Sequence, residues 1–130
     1  MNEVENQNLQ DSIKFLGSIS NVSELLAISD LAVFPSSFEG FSLVMLEKFA
    51  MSLPIVASNI DAFKEIGEDE TNCFLVSFED RDFYKKRIIE LCENEYLRKQ
   101  IGANARLRAM EFDIKKCITS HEKYYLKSLK

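Results

Sequence analysis

The chain has 130 residues, a net charge of −5, 46% apolar residues and 28% charged ones, which suits one soluble domain with one core. An acidic chain is a poor match to a nucleic-acid groove or an anionic membrane, so a phosphate-bearing ligand would have to be held by local geometry. Three widely spaced cysteines, Cys73, Cys92 and Cys117, form no C-x-x-C pair. They point to unpaired thiols in a reducing compartment, not to a disulfide framework or a zinc site. The opening MNEVENQNLQ lacks the apolar stretch of a signal peptide, and no run approaches the roughly 20 apolar residues of a membrane span. A cytoplasmic location is expected.

In chain order, residues 1–10 are polar and read as a flexible N-terminus, with the domain itself over 11–130. Ile13–Gly17 reads as a short buried strand closed by glycine. Asn21 with Glu24 three places on reads as a capping box, starting a short helix that ends near Asp30. Leu31–Pro35 is a second apolar strand, Ser36–Gly40 a loop, and Ser42–Ser52 a helix. Pro54 opens a third strand, because proline is tolerated as a first strand residue. Asn59–Gly67 reads as a loop with one helical turn, and Cys73–Ser77 as a fourth strand. Helices follow over 82–94, 95–110 and 113 to the end. Strands alternating with helices predict β-α-β units and a parallel, doubly wound α/β sheet with a helical tail. Four short strands make about half of such a sheet, and a parallel sheet needs both faces covered. The chain is therefore expected to be the later part of a larger architecture, or to pair with another chain.

The segment FPSSFEGFSLVMLEKFAMSLPIVAS, residues 34–58, places Glu39 and Glu47 with seven residues between them. Loops after parallel strands share one crevice at the carboxyl ends, and Glu39 lies in the first such loop. Gly40 would let the backbone turn sharply and a ligand come close. A helix starting at Ser42 and Leu43 would offer free N–H groups and a positive dipole end to a phosphate, without any lysine. Glu47 falls between Leu43 and Ala50 on one side and Val44 and Met51 on the other. A helix so apolar is expected to be buried on more than one face, where a carboxylate needs donors such as sugar hydroxyls. Glu47 would stand about 7 Å up the axis from the helix start, at roughly 1.5 Å per residue, about the span from a diphosphate to a ribose. The same residues also read as a thin solvated strip of Glu47 and Lys48. Spacing alone leaves both readings standing.

This segment resembles the nucleotide-sugar-binding segment of the family 4 retaining glycosyltransferases, which have the GT-B fold. The family pattern is a strand ending in proline-serine, a glutamate, seven residues and a second glutamate, then a small residue, "LP" and a valine-rich strand. The flanks agree: FLGSIS…ELLAISDLAVFPS before it, DAFKEIGEDETNCFLVS after it, and a late R-x-x-x-G-x-x-A-R run formed by Arg98, Gly102, Ala105 and Arg106. The likeness covers about residues 13 to 126.

The resemblance implies the later part of a GT-B C-terminal Rossmann-like domain that binds a UDP- or GDP-linked sugar and transfers it with retention. It implies that Glu39 faces the donor sugar and the reacting centre, and that Glu47 holds the ribose. It also implies that Phe41, Ser42 and Leu43, next to Gly40, meet the diphosphate, and that Gly17 and Ser18 lie near the base. No metal and no cofactor beyond the donor are implied. This chain departs from the pattern at Ser42, at Asp61-Ala62-Phe63, at Cys73 and at Lys48, where many members have small residues. The basic pair that the family sets against the diphosphate, and its acceptor domain, lie upstream of the matching stretch. An N-terminal Rossmann-like partner chain or self-association is expected, with the acceptor undetermined. A non-catalytic fragment or partner subunit is the alternative.

Other candidates read as structure. His121, with Ile114, Cys117, Ile118 and Tyr125 on one helical face, suits packing or an interface rather than catalysis. Tyr124, Tyr125 and Leu129 either await a partner or pack on the domain's own sheet. Lys85-Lys86-Arg87 reads as a solvated helix face. Ser36-Ser37 lacks the glycine pattern of a nucleophile elbow.

Overall fold

The computed structural model of the chain describes residues 2–128, with the side chains of Asn2, Lys116 and Cys117 outside the description. In order they form α1 (Asn2–Asn6), α2 (Val22–Ala27), β1 (Ala32–Phe34), α3 (Leu43–Ala50), β2 (Ile55–Ser58), α4 (Asp61–Ile66) and β3 (Phe74–Val76). Then come α5 (Arg81–Glu93), α6 (Glu95–Ala109), a 3-10 turn (Met110–Phe112) and α7 (Ile114–Ser128).

The three strands lie in the order β1-β2-β3, all parallel, with Val33 opposite Val56 and Ala57 opposite Leu75. Each crossover moves the chain one strand in the same direction. Right-handed crossovers therefore put α3 and α4 on one face. The core divides accordingly, by strand alternation. Ile55, Ala57, Cys73 and Leu75 pack with Met45 and Phe49 of α3 and Phe63 and Ile66 of α4. Val56, Phe74 and Val76 point the other way, to Tyr84 and Leu91 of α5. β2 is buried at every position, as a central parallel strand should be. The α/β architecture with a parallel sheet is the one the sequence predicts.

The R-x-x-x-G-x-x-A-R run turns out to be packing chemistry. Arg98 Nη1 donates to the carbonyls of Leu91 (2.6 Å) and Cys92 (2.7 Å), satisfying the end of α5. Gly102 lies against the turn that follows α3; a Cβ there would stand 2.1 Å from the Ser52 carbonyl oxygen. Ala105 is fully buried, and Arg106 is exposed. α6 thus joins both faces, with Ala105 in one cluster and Ile101 in the other.

Several expectations are corrected. Ile13–Gly17 is not a strand, and Ile13, Phe15 and Leu16 are exposed. Apolar side chains do not make a parallel strand without a neighbouring edge, and this segment pairs with none. The segment read as a flexible N-terminus holds a short helix, Asn2–Asn6, with Gln7 Nε2 donating to Glu3 Oε1 at 2.6 Å, which leaves that reading neither supported nor overturned. The capping box does not form, because Asn21 Oδ1 accepts from Ser23 Oγ (2.9 Å) and no side chain caps α2. The loop after β2 holds a full six-residue helix, α4.

Lys85 and Lys86 are exposed, but Arg87 is not part of a solvated face. Its guanidinium lies 4.3 Å from the Phe74 ring centre and pairs with Glu90 (2.9 Å) and with Glu70. Ile114, Ile118, Tyr124 and Tyr125 of α7 are all exposed, so this face does not pack on the domain's own sheet. Leu129 and the Cys117 side chain lie outside the described residues.

Candidate functional site

Because β1 and β2 are parallel, the loops that follow them leave the same end of the sheet. The strand ends beneath those loops are tied together. Ser58, the last residue of β2, is fully buried, and its hydroxyl donates to the Phe34 carbonyl at the end of β1 (3.2 Å).

From Phe34 the chain runs through Pro35–Phe41 into α3. Ser42 is buried, and its Oγ accepts from the Met45 N–H at 3.3 Å. A hydroxyl at this position takes one orphan amide of the first turn. The Leu43 N–H turns back to the Phe41 carbonyl (3.1 Å). No described hydrogen bond engages the N–H groups of Ser42 and Val44. The start of α3 therefore carries unengaged donors and the positive end of the helix dipole.

Around this start the other expected residues take their places. Glu39 is exposed, and Ser36 Oγ donates to its Oε1 (3.0 Å). Gly40 is not in the left-handed region, and a Cβ there would meet nothing within 4 Å. The turn itself therefore does not require glycine, a correction to the expected reason for it, while the space over Gly40 is open. Phe41 is half-exposed, and its ring centre lies 6.0 Å from that of Phe112. Phe41, Leu43, Leu46, Phe112 and Ile114 line a pocket of about 340 Å³.

Glu47 departs from expectation. Its side chain is 60% exposed, so it is not a buried carboxylate in search of donors. Leu43, Val44 and Met51 around it are exposed too, and only Met45 and Phe49 of α3 are fully buried. α3 packs against the sheet, α4 and α6 through its inner side, and nothing among the described residues covers the outer face that carries Leu43, Val44 and Glu47. Lys48 Nζ stands 3.6 Å from Glu47 Oε2 and 6.0 Å from the Phe34 ring centre, with only 12% of its side chain exposed. The solvated-strip reading thus fits Glu47 and fails for Lys48. An ion pair this open contributes less than about 1 kcal/mol.

Gly17 and Ser18 are exposed in the segment before α2. Ser18 lines a separate depression of about 820 Å³ with Leu25 and Ile28. The structure thus gathers Glu39, Gly40, Phe41, Ser42 and Leu43 at one loop and helix start. Glu47 stands further along the same helix, and Gly17 and Ser18 stay beside α2. Of three neighbours in the site, the sequence reading named Ser36 and Lys48 but not the Ser36–Glu39 hydrogen bond or the burial of Lys48, and it missed Phe112 altogether. Ser36 and Lys48 had a local signal, a hydroxyl or a cation within three residues of a carboxylate. Phe112 had none, since its contact with Phe41 exists only in the folded chain. His121 is exposed, and no three His, Cys, Asp or Glu side chains among the described residues are grouped to hold a metal ion. Among the described residues no helix is long and apolar enough to cross a membrane.

A parallel sheet with helices on both faces, and a capped helix start at the carboxyl ends of its strands, defines a Rossmann-like α/β domain of the GT-B type. The profile of the family described as "Glycosyl transferases group 1" matches residues 1–108, and the chain belongs to that family. It is 32% identical over 123 residues to N-acetyl-alpha-D-glucosaminyl L-malate synthase of Bacillus anthracis, covering 94% of this chain and 32% of that protein. It is 30% identical over 125 residues to N-acetylgalactosamine-N,N'-diacetylbacillosaminyl-diphospho-undecaprenol 4-alpha-N-acetylgalactosaminyltransferase of Campylobacter jejuni, covering 95% of this chain and 34% of that protein. The chain spans about a third of the length of these curated relatives. Among solved structures, Anabaena HepE in complex with UDP superposes with a TM-score of 0.88 at 26% identity, over 98% of this chain and 35% of that one. Sucrose-phosphate synthase of Thermosynechococcus elongatus gives 0.90 at 23% identity, over 98% of this chain and 33% of that one, a likeness of fold.

Proposed function

We propose that this chain carries the donor side of a glycosyl transfer with retention, the sugar passing from a UDP- or GDP-linked donor to an acceptor held outside this domain. The observation that carries the reading is the Ser42-capped start of α3, seated where β1 and β2 end. Electrostatic stabilisation of the leaving diphosphate is the main contribution in such a transfer, and amides of that helix start would supply part of it. Glu39 orients the donor sugar from the open side of the loop, and Glu47 takes the ribose hydroxyls in place of Lys48. Gly17 and Ser18 approach the base. The donor is the only small molecule this reaction requires, and unpaired thiols suit the cytoplasm. HepE, captured with UDP and with UDP-glucose, supports the choice of a nucleotide-sugar donor.

The test is calorimetric titration of the folded chain with UDP and with GDP. Heat from one of the two is expected; silence from both at millimolar nucleotide removes donor binding by this chain. The Glu47→Ala variant is expected to bind about tenfold more weakly, near 1.4 kcal/mol. That is the low end for a hydrogen bond to a charged group, because the carboxylate is open to water. Equal affinity returns Glu47 to a surface ion pair with Lys48.

One observation favours a second reading, in which the chain is a subunit or non-catalytic fragment that acts only with a companion. β1 pairs on one side only, and Val33, Phe38 and the α7 face are exposed. A companion carrying a Rossmann-like half with the missing basic pair would bring nucleotide binding to a silent chain.

A further inference from the structure

The ring contact between Phe41 and Phe112 joins the loop before α3 to the 3-10 turn that follows α6. The two rings lie 6.0 Å apart, tilted at 49°, within the separation at which aromatic side chains attract one another. Phe112 is itself anchored. It is partly buried against the cluster of Met45, Phe49 and Phe63, and the Arg108 guanidinium lies 4.8 Å from its ring centre. Arg108 is fixed in turn, donating to the carbonyls of Ile66 (2.9 Å) and Glu65 (3.1 Å) and pairing with Glu111. On the other side the Phe41 carbonyl accepts from the Leu43 N–H at 3.1 Å, but among the described residues the Phe41 ring has only the Phe112 ring as an aromatic partner. It is 49% exposed, its neighbour Gly40 has open space above it, and the next residue begins α3.

We propose that Phe112 is a positioning residue for the donor site. Its ring, clamped by Arg108, acts through Phe41 to fix the Gly40–Leu43 backbone where a nucleoside diphosphate meets the start of α3. This rests on the donor-binding reading above, but the ordering of the loop is observable without any nucleotide. A small ring contact can matter here because amides that bind an anion must be held in place beforehand.

The experiment compares the wild-type chain with Phe112→Ala, Phe112→Leu and Phe112→Tyr. Phe112→Leu guards against loss of fold, since it keeps most of the buried volume and removes the ring. Two quantities are read: backbone ¹⁵N order parameters of Gly40–Leu43, and affinity for UDP and GDP. The order parameters are expected to fall from about 0.85 to below about 0.6 in the Ala and Leu variants. Nucleotide affinity should fall about tenfold with them, and the Tyr variant should keep both. Unchanged order parameters in the Ala and Leu variants overturn the proposal. So does a loosened loop that binds nucleotide as tightly as wild type. If the wild type binds neither nucleotide while the loop still loosens in Phe112→Leu, the donor-binding reading fails and the ordering role of Phe112 stands.

Discussion

Two interior acids, Cys73 and Tyr84, are held in their neutral forms. Burial, with the negative charges of Asp69 and Glu68 beside it, pushes the Cys73 thiol up to about 12 from an ordinary 9.0. Burial likewise pushes the Tyr84 hydroxyl up to about 12 from an ordinary 10.0, the Ser58 hydroxyl acting in the opposite sense. Tyr84 also donates to the Val56 carbonyl at 3.0 Å, a bond that only its protonated form can make. Between those values the unfolded chain has lost protons that the folded chain keeps. Their stabilising effect is thus complete below about pH 9 and is lost as pH rises toward 12. A lower urea midpoint at about pH 11 than at about pH 8 is expected, and equal midpoints would contradict it. In the same folded sample, exposed Cys92 should react with an alkylating reagent well before buried Cys73. The carboxylates teach a different lesson about what sequence carries. Glu39 and Glu47 were legible as a pair because their spacing is local. The exposure of Glu47 was not, because apolar neighbours on a helix state what could be covered and not whether anything covers it.

At the scale of elements, Gly102 is the position where helix meets loop with least room. An added methyl would drive α6 away from the Ser52 carbonyl and disturb the buried contacts of Ile101 and Ala105. Gly102→Ala is expected to cost about 2 kcal/mol or more despite the better helix propensity of alanine, since overpacking at a rigid backbone exceeds that gain. Thermal denaturation reads the difference; a variant as stable as wild type would mean the turn can shift at no cost. β1, β2 and β3 were legible from short apolar runs bounded by turn residues, and α5 and α6 from their length. Ile13–Gly17 has the same apolar character and is no strand. A strand is defined by its neighbour across the hydrogen bonds, and no sequence window contains that neighbour.

Across the whole molecule, the uncovered surface is unevenly placed. The outer side of β1, the outer face of α3 with Leu43 and Val44, and α7 with Tyr124 and Tyr125 all present apolar side chains to water. An unpaired parallel edge beside apolar surface is a template for association. The isolated chain is expected to self-associate, with light scattering giving a mass above the 15.0 kDa monomer that rises with concentration. Val33→Lys, which places a charge on the open edge strand, should reduce that mass. A monodisperse monomer at all concentrations would show that these surfaces do not attract one another.

α6 gives this small interior an unusual kind of unity. Ile101 and Ala105 stand one helical turn apart, yet each belongs to a different side of the sheet. A single rod therefore packs against both layers and ties the α3 side of the sheet to the α5 side. Damage far from the open end, on the α5 side, should reach the loops above β1 and β2 as a loss of their foundation.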